Sequence, residues 1–201
     1  MPLDLLVALI GFAAATAWTP GPNNLMLLAS GVNFGFMRTI PHLLGINFGF
    51  PAMIVLVGLG LGGIFTAIPQ FFLVLKVLGI AYMLWLAWHI ANAGPMDAEA
   101  QSAAKPMRFH EAVLFQWVNP KAWAMALTGA ATYTVPAHYL LSLFTIAATF
   151  LVVNLPGACA WIGFGVGLRK LLQDPVRVRV FNITMAVLLV ASLLPVLWEL
   201  R

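Results

Sequence analysis

Residues 5–33 read LLVALIGFAAATAWTPGPNNLMLLASGVN. About 20 apolar residues suffice for a helix to cross a bilayer, and this run exceeds that. Its middle is interrupted by Thr19-Pro20-Gly21-Pro22-Asn23-Asn24. Two prolines remove two backbone N–H groups and release the carbonyls around positions 16 and 18 from their helical partners. Gly21 between them adds backbone freedom. At membrane depth, freed backbone groups persist only where buried protein or a wet cavity satisfies them. The segment therefore predicts a transmembrane helix broken inside the protein. Freed carbonyls suit an ammonium group. The helix restarting near Pro22-Asn23 turns its positive end to the same place, which suits a carboxylate. A zwitterionic amino acid fits both ends, whereas a packed proline kink needs neither.

The remaining sequence asks for the same solvent. Of 201 residues, 62% are hydrophobic and 8% charged, against roughly 25% charged in a soluble domain. Five further spans are expected at 40–66, 69–92, 110–133, 138–168 and 177–199. The first, second and fifth spans are long for a simple crossing, which predicts tilt, a break or interfacial ends. Thr66-Ala67-Ile68-Pro69 and Thr134-Val135-Pro136 read as short turns, and 93–109 is the one clear polar loop. The N-terminus, Met-Pro-Leu-Asp-Leu-Leu, lacks the basic region of a signal peptide, so the first apolar run is expected to be retained.

Orientation follows from the basic residues. Arg38, Lys105, Arg108, Arg169, Lys170, Arg177 and Arg179 fall on one side, and only Arg201 on the other. The first side is assigned to the cytoplasm and both termini to the outside. The net charge of +4 then reflects loops facing anionic lipid. No basic stripe carries interleaved aromatics, so nucleic acid is not an expected partner. The polar loop divides the chain into repeat one (1–92) and repeat two (110–201). Three spans in each half make the halves enter the membrane from opposite sides, the arithmetic of an inverted repeat common in transporters. The expected fold is an all-α membrane protein, six transmembrane helices as two inverted three-helix repeats in a single domain. Each half opens with a proline-interrupted helix, so the two interruptions would meet near the midplane.

The second interruption is Asn119-Pro120-Lys121. A lysine at mid-span costs about 2.5–3.5 kcal/mol on insertion scales. Lys121 is about eleven residues into its span, too deep for easy snorkelling, and could hold a substrate carboxylate or a freed carbonyl. The candidate substrate-binding set is Thr19, Pro20, Gly21, Pro22, Asn23, Asn24, Asn119, Pro120 and Lys121. Asn47, Lys76 and Asn154 are candidates for a polar path or gate, with interhelical bonding or, for Lys76, snorkelling as the plainer alternative. Carboxylates are scarce, and none lies at mid-membrane. Asp4 and Glu111, at span ends, are the nearest candidates for proton coupling, against solvated or capping roles. His42, His89, His110 and His138 also read as interfacial residues at span ends. Gly58-Leu59-Gly60-Leu61-Gly62-Gly63 matches G-x-G-x-x-G but lies inside an apolar helix, so it is no dinucleotide site. The pairs Gly45/Gly49, Gly58/Gly62 and Gly163/Gly167 have the spacing for close helix packing, internal or at a homodimer face. Cys159 is the only cysteine, and no metal-ligand cluster stands out.

In these motifs the chain resembles the LysE/RhtB superfamily of bacterial amino-acid exporters (LysE family translocators). The likeness runs through Thr19-Pro20-Gly21-Pro22-Asn23, Gly35-Phe36, Gly45, Leu75-Lys76 with Gly79 and Ala81-Tyr82, and Phe115 with Asn119-Pro120-Lys121-Ala122. Beyond about residue 135 it rests on hydropathy. The resemblance implies a secondary active exporter in the cell inner membrane. It would move small amino acids or derivatives of the threonine, homoserine, leucine, cysteine or O-acetylserine class, coupled to proton influx, with no cofactor. One departure is Ala87, near a usual glycine. The neighbouring Trp85 and Trp88 would reshape the pocket or sit at the interface. Three rival readings stand beside this one. A thiol-redox conduit needs paired cysteines. An exporter of a metal ion or other small solute on the same scaffold is the main alternative. An intramembrane enzyme needs a nucleophile and base that Ser30 and distant histidines do not supply.

Overall fold

Proline and glycine positions set the ends of nearly every helix. The computed structural model describes residues 1–61, 67, 69–92, 105–169, 171, 172 and 174–194, with the side chains of 61, 69, 71, 72, 75 and 76 outside that description. Its helices are α1 (Leu3–Trp18), α2 (Pro22–Phe34), α3 (Phe36–Leu56), α4 (Pro69–Asn92), α5 (Phe109–Phe115), α6 (Pro120–Tyr133), α7 (Tyr139–Arg169) and α8 (Pro175–Ala191). Prolines stand at the first position of α2, α4, α6 and α8, where a missing N–H costs nothing. No strand occurs among the described residues.

Phe36–Gly60 and Pro136–Arg169 are each long and apolar enough to cross a membrane. α1 and α2 pass the same test together and are bent by 51° at their break. Part of the 93–109 polar loop and the end of the 177–199 span lie outside the described residues, as does Gly62 of the Gly58/Gly62 pair.

α7 is the central post. At 31 residues it is about 46 Å long, and it packs on α1, α2, α3 and α6. It remains one helix through Pro156, where the Trp18 indole lies over Gly157 and donates to Val153 O at 2.9 Å. Around α7, the Phe150 ring meets Phe12 and Phe50 edge-on at 6.0 and 5.1 Å. This aromatic cluster, with Leu9, Met53, Ile54 and Trp123, joins α1, α3, α6 and α7. A second cluster joins α2, α4 and α8 through Leu25, Met83, Met185 and Leu189.

α2 and α3 form a hairpin joined by one residue. Gly35 adopts φ +78, ψ 174, a backbone region open essentially to glycine alone. Across the turn Ser30 and Thr39 share a buried hydrogen bond of 2.9 Å.

Close backbone approach occurs where glycines face a neighbour. Gly45 lies against Phe109 O and Ala112 of α5, and Gly49 against Val113. Gly163 and Gly167 do not behave this way, since a Cβ on either meets nothing within 4 Å. The α2–α7 contact is instead made by Gly31 and Gly165, between the expected pair in sequence and on the opposite face of the helix. Internal packing by Gly163/Gly167 is corrected accordingly.

Candidate functional site

At the first break, Pro20 and Pro22 orphan the carbonyls of Thr16 and Trp18, and the bend takes the intervening ones out of register. Each finds another donor. Thr16 O accepts from Thr19 Oγ1 at 3.0 Å, and Trp18 O from the Trp161 indole at 3.2 Å. Asn24 Nδ2 donates to Ala17 O at 2.7 Å and to Thr19 O at 2.8 Å. Its amide protons are therefore used in holding the bend.

The last donor comes from the second break. The Lys121 ammonium donates to Thr19 O at 3.1 Å, Thr19 Oγ1 at 2.9 Å and Pro20 O at 3.3 Å. Three donors thus meet three acceptors, all neutral. The lysine stem passes beside Gly21, where a Cβ would stand 2.8 Å from Lys121 Cδ and 3.0 Å from Nζ. Gly21 is extended, with φ 179 and ψ 176, so what it supplies here is room.

The two restarting helices differ at their first turns. Asn119 Oδ1 accepts from the amides of Lys121 at 3.1 Å and Ala122 at 3.4 Å, capping α6. α2 starts from Gly21 with no side-chain cap. Its first intrahelical bond is Leu25 N to Gly21 O at 2.9 Å, so the amides of Asn23 and Asn24 precede the ladder. A cavity of about 30 Å³ lies here, bounded by Gly21, Asn23, Asn24, Asn119, Lys121 and Asn154, with Ile46 and Phe50 on its apolar side.

Two side-chain pairs tie the surrounding helices. Asn154 Nδ2 donates to Asn47 Oδ1 at 3.1 Å, and Asn47 Nδ2 to Leu151 O at 3.2 Å. Asn23 and Gln116 exchange amide bonds of 2.9 and 3.3 Å, and Gln116 also donates to Ala112 O at 2.9 Å. Gln116 was not among the sequence candidates. Its only signal was one amide within Leu114-Phe115-Gln116-Trp117. A Gln116→Leu protein should melt lower, since removing it strands the half-buried Asn23 amide at a cost of about 1 kcal/mol. Combined with Asn23→Leu the losses should fall short of additive by about 1 kcal/mol. Strict additivity of melting shifts in detergent would show that the two amides do not act as a pair.

The other candidates lie elsewhere. Asp4 is exposed in the first turn of α1. Glu111 is exposed and accepts from Arg108 N at 2.7 Å, a helix-capping contact. Lys76 belongs to α4, but its side chain is outside the described part. Trp85 and Trp88 are exposed on α4, 52% and 69%, away from the cavity. His42 corrects the interfacial reading: it is 2% exposed, because α3 begins six residues earlier at Phe36.

An apolar helical chain whose two proline-broken helices meet at a small polar cavity has the anatomy of a membrane transporter. The chain belongs to the LysE type translocator family, whose model matches residues 14–193. It is similar to the cysteine/O-acetylserine efflux protein of Escherichia coli (strain K12), 31% identical over 192 residues, which are 94% of this chain and 96% of that protein. The cysteine/O-acetylserine efflux protein of Klebsiella pneumoniae subsp. pneumoniae is 32% identical over 136 residues, 68% of either chain. No solved structure matches the chain significantly.

Proposed function

We propose that this protein exports small amino acids or their derivatives by alternating access, as six spans in two inverted repeats. α1 with α2, and α5 with α6, would each be one broken span. Repeat one would cover 1–92 and repeat two 110–201, with both termini outside the cell inner membrane. The observation that carries the reading is the Lys121 ammonium seated on the carbonyls of the first break. These carbonyls form an ammonium site, and Lys121 occupies it while no substrate is bound. An arriving amino acid would bring its own ammonium to Thr19 O and Pro20 O. Its carboxylate would draw Lys121 away and lie at the uncapped start of α2. Thr19, Pro20, Gly21, Pro22, Asn23, Asn24, Asn119, Pro120 and Lys121 form the site in this scheme. Asn154 closes one wall, and Asn47 behind it accepts its amide hydrogen bond.

A cavity of about 30 Å³ holds one or two water molecules. The helices must therefore part to admit substrate, which suits an occluded stage of an alternating cycle. The names of the relatives favour cysteine and O-acetylserine, whose side chains are short. Counterflow into proteoliposomes, across cysteine, O-acetylserine, threonine, homoserine and leucine at two pH values, tests the proposal. Exchange of at least one short polar amino acid is expected. Exchange of none of the five would sink the export reading.

A further inference from the structure

We propose that the protein exchanges its substrate for a proton, and that His42 carries this proton between the central cavity and the Gly35 end of the α2–α3 hairpin. This rests on the export reading above, in whose orientation the Gly35 end is cytoplasmic. His42 is buried to 2% exposure, and neither ring nitrogen meets a hydrogen-bond partner among the described residues. A leucine would fill the place without that cost, so the imidazole asks for a role.

Its position supplies one. Thr39, His42 and Ile46 follow one another on a single stripe of α3. Thr39 bonds Ser30 toward the Gly35 turn, while Ile46 borders the cavity together with Asn23. Those two levels fix the register of the hairpin. His42 is one turn from each, about 4.5 and 6 Å along the axis, level with Leu27 of α2. The imidazole is therefore the titratable step on the stripe between a hydroxyl pair and the polar cavity.

The surrounding elements offer little charge. α2 carries no titratable side chain. α3 itself has Arg38. α5 has His110 and Glu111, preceded by Lys105 and Arg108, and all four are exposed. α6 brings Lys121 and Tyr133, and α7 brings Tyr139, Cys159 and Arg169. Among the described residues a dry imidazolium here has no adjacent carboxylate, since Glu111 is exposed and caps its own helix at Arg108 N. Protonation thus requires water to reach the ring, which ties proton occupancy to helix opening. A ring nitrogen accepts one proton from water on one side and becomes imidazolium. The same proton leaves to water on the other side, and the neutral ring is restored with no other bond changed.

Full-length protein in proteoliposomes, with radiolabelled O-acetylserine, tests this. Counterflow exchange at equal pH reads binding and alternation. Accumulation driven by an acid-inside gradient reads coupling. His42→Gln should keep counterflow within about twofold of wild type and lose at least about tenfold of gradient-driven accumulation. His42→Gln accumulating like wild type overturns the proposal. Equal loss of both activities in His42→Gln and His42→Asn also overturns it, since the ring would then be a packing or binding group. If neither variant assembles, wild-type protein in detergent decides. Proton release on adding O-acetylserine should change with pH as the imidazole titrates, and a release independent of pH overturns the proposal. No counterflow by wild type would instead overturn the export reading, and this proposal with it.

Discussion

Lys121→Ala should lower counterflow by at least about 100-fold while the protein still reaches the membrane. The lysine serves twice in the proposed cycle. Empty, it satisfies Thr19 O and Pro20 O at 3.1 and 3.3 Å. Loaded, its charge follows the substrate carboxylate. A charge-assisted hydrogen bond is worth about 1.5–3 kcal/mol, and removing two such bonds slows the cycle by a factor near 100 or above. Assembly should survive, because Asn24 still ties Ala17 O and Thr19 O, and water can enter a cavity already about 30 Å³ in volume. Gly21→Ala should reproduce much of the defect, by about tenfold or more, without removing the charge. Its Cβ would lie 2.8 Å from Lys121 Cδ, and a flexible stem yields by lifting the ammonium off the carbonyls. Export by Lys121→Ala at wild-type rates, with surface abundance checked by quantitative blotting, would remove Lys121 from the mechanism.

The break between α1 and α2 was legible because proline chemistry is local. Pro20 and Pro22 name the carbonyls they orphan, at Thr16 and Trp18, whatever surrounds them. What fills them is only partly local. Thr19 Oγ1 reaches Thr16 O within the same turn, but Trp18 O takes the Trp161 indole through the packing of α7, and no spacing rule announces a donor 143 residues away. The meeting of Lys121 with Thr19 follows the repeat argument, which asks only that two interrupted helices approach. Gln116 carries no such argument, since one amide in an apolar run could face any neighbour. His42 was misplaced for a related reason. A span beginning at residue 40, after Arg38 in the connection, put His42 at a span end, but a one-residue turn at Gly35 lets α3 begin at Phe36 and puts the imidazole inside the helix. The glycines teach the same lesson about faces. Spacing of four identifies one stripe, yet Gly165 stands about 200° around from Gly163 on a helix turning 100° per residue, and only packing shows which stripe meets α2.

That contact gives the largest expected effect on folding. Gly31→Ala should strip the protein of a monodisperse peak in detergent size-exclusion, or lower its melting temperature by about 10 °C or more. A Cβ at Gly31 would lie 2.5 Å from Ile162 O and 3.2 Å from Ile162 C and Cα. All three are backbone atoms of α7, and none can rotate aside. On the other side a Cβ at Gly165 would stand 3.2 Å from Gly31 Cα and 3.1 Å from Val32 N. Relief therefore requires α2 and α7 to separate as bodies. Overpacking a well-filled interior costs about 1–3 kcal/mol even where side chains adjust, and here backbone meets backbone. Total stability is only about 5–15 kcal/mol, and small residues are what let membrane helices approach in the first place. Function should fail with the fold, because α2 carries the start of the proposed binding site while α7 carries Asn154 and Trp161. Gly163→Ala is the matched control: its Cβ meets nothing within 4 Å, so melting should stay within about 2 °C of wild type, in keeping with a surface substitution worth about 0.5 kcal/mol or less. Equal melting of Gly31→Ala and Gly163→Ala proteins would show that α2 and α7 do not pack backbone to backbone, and the α2–α7 register would have to be redrawn.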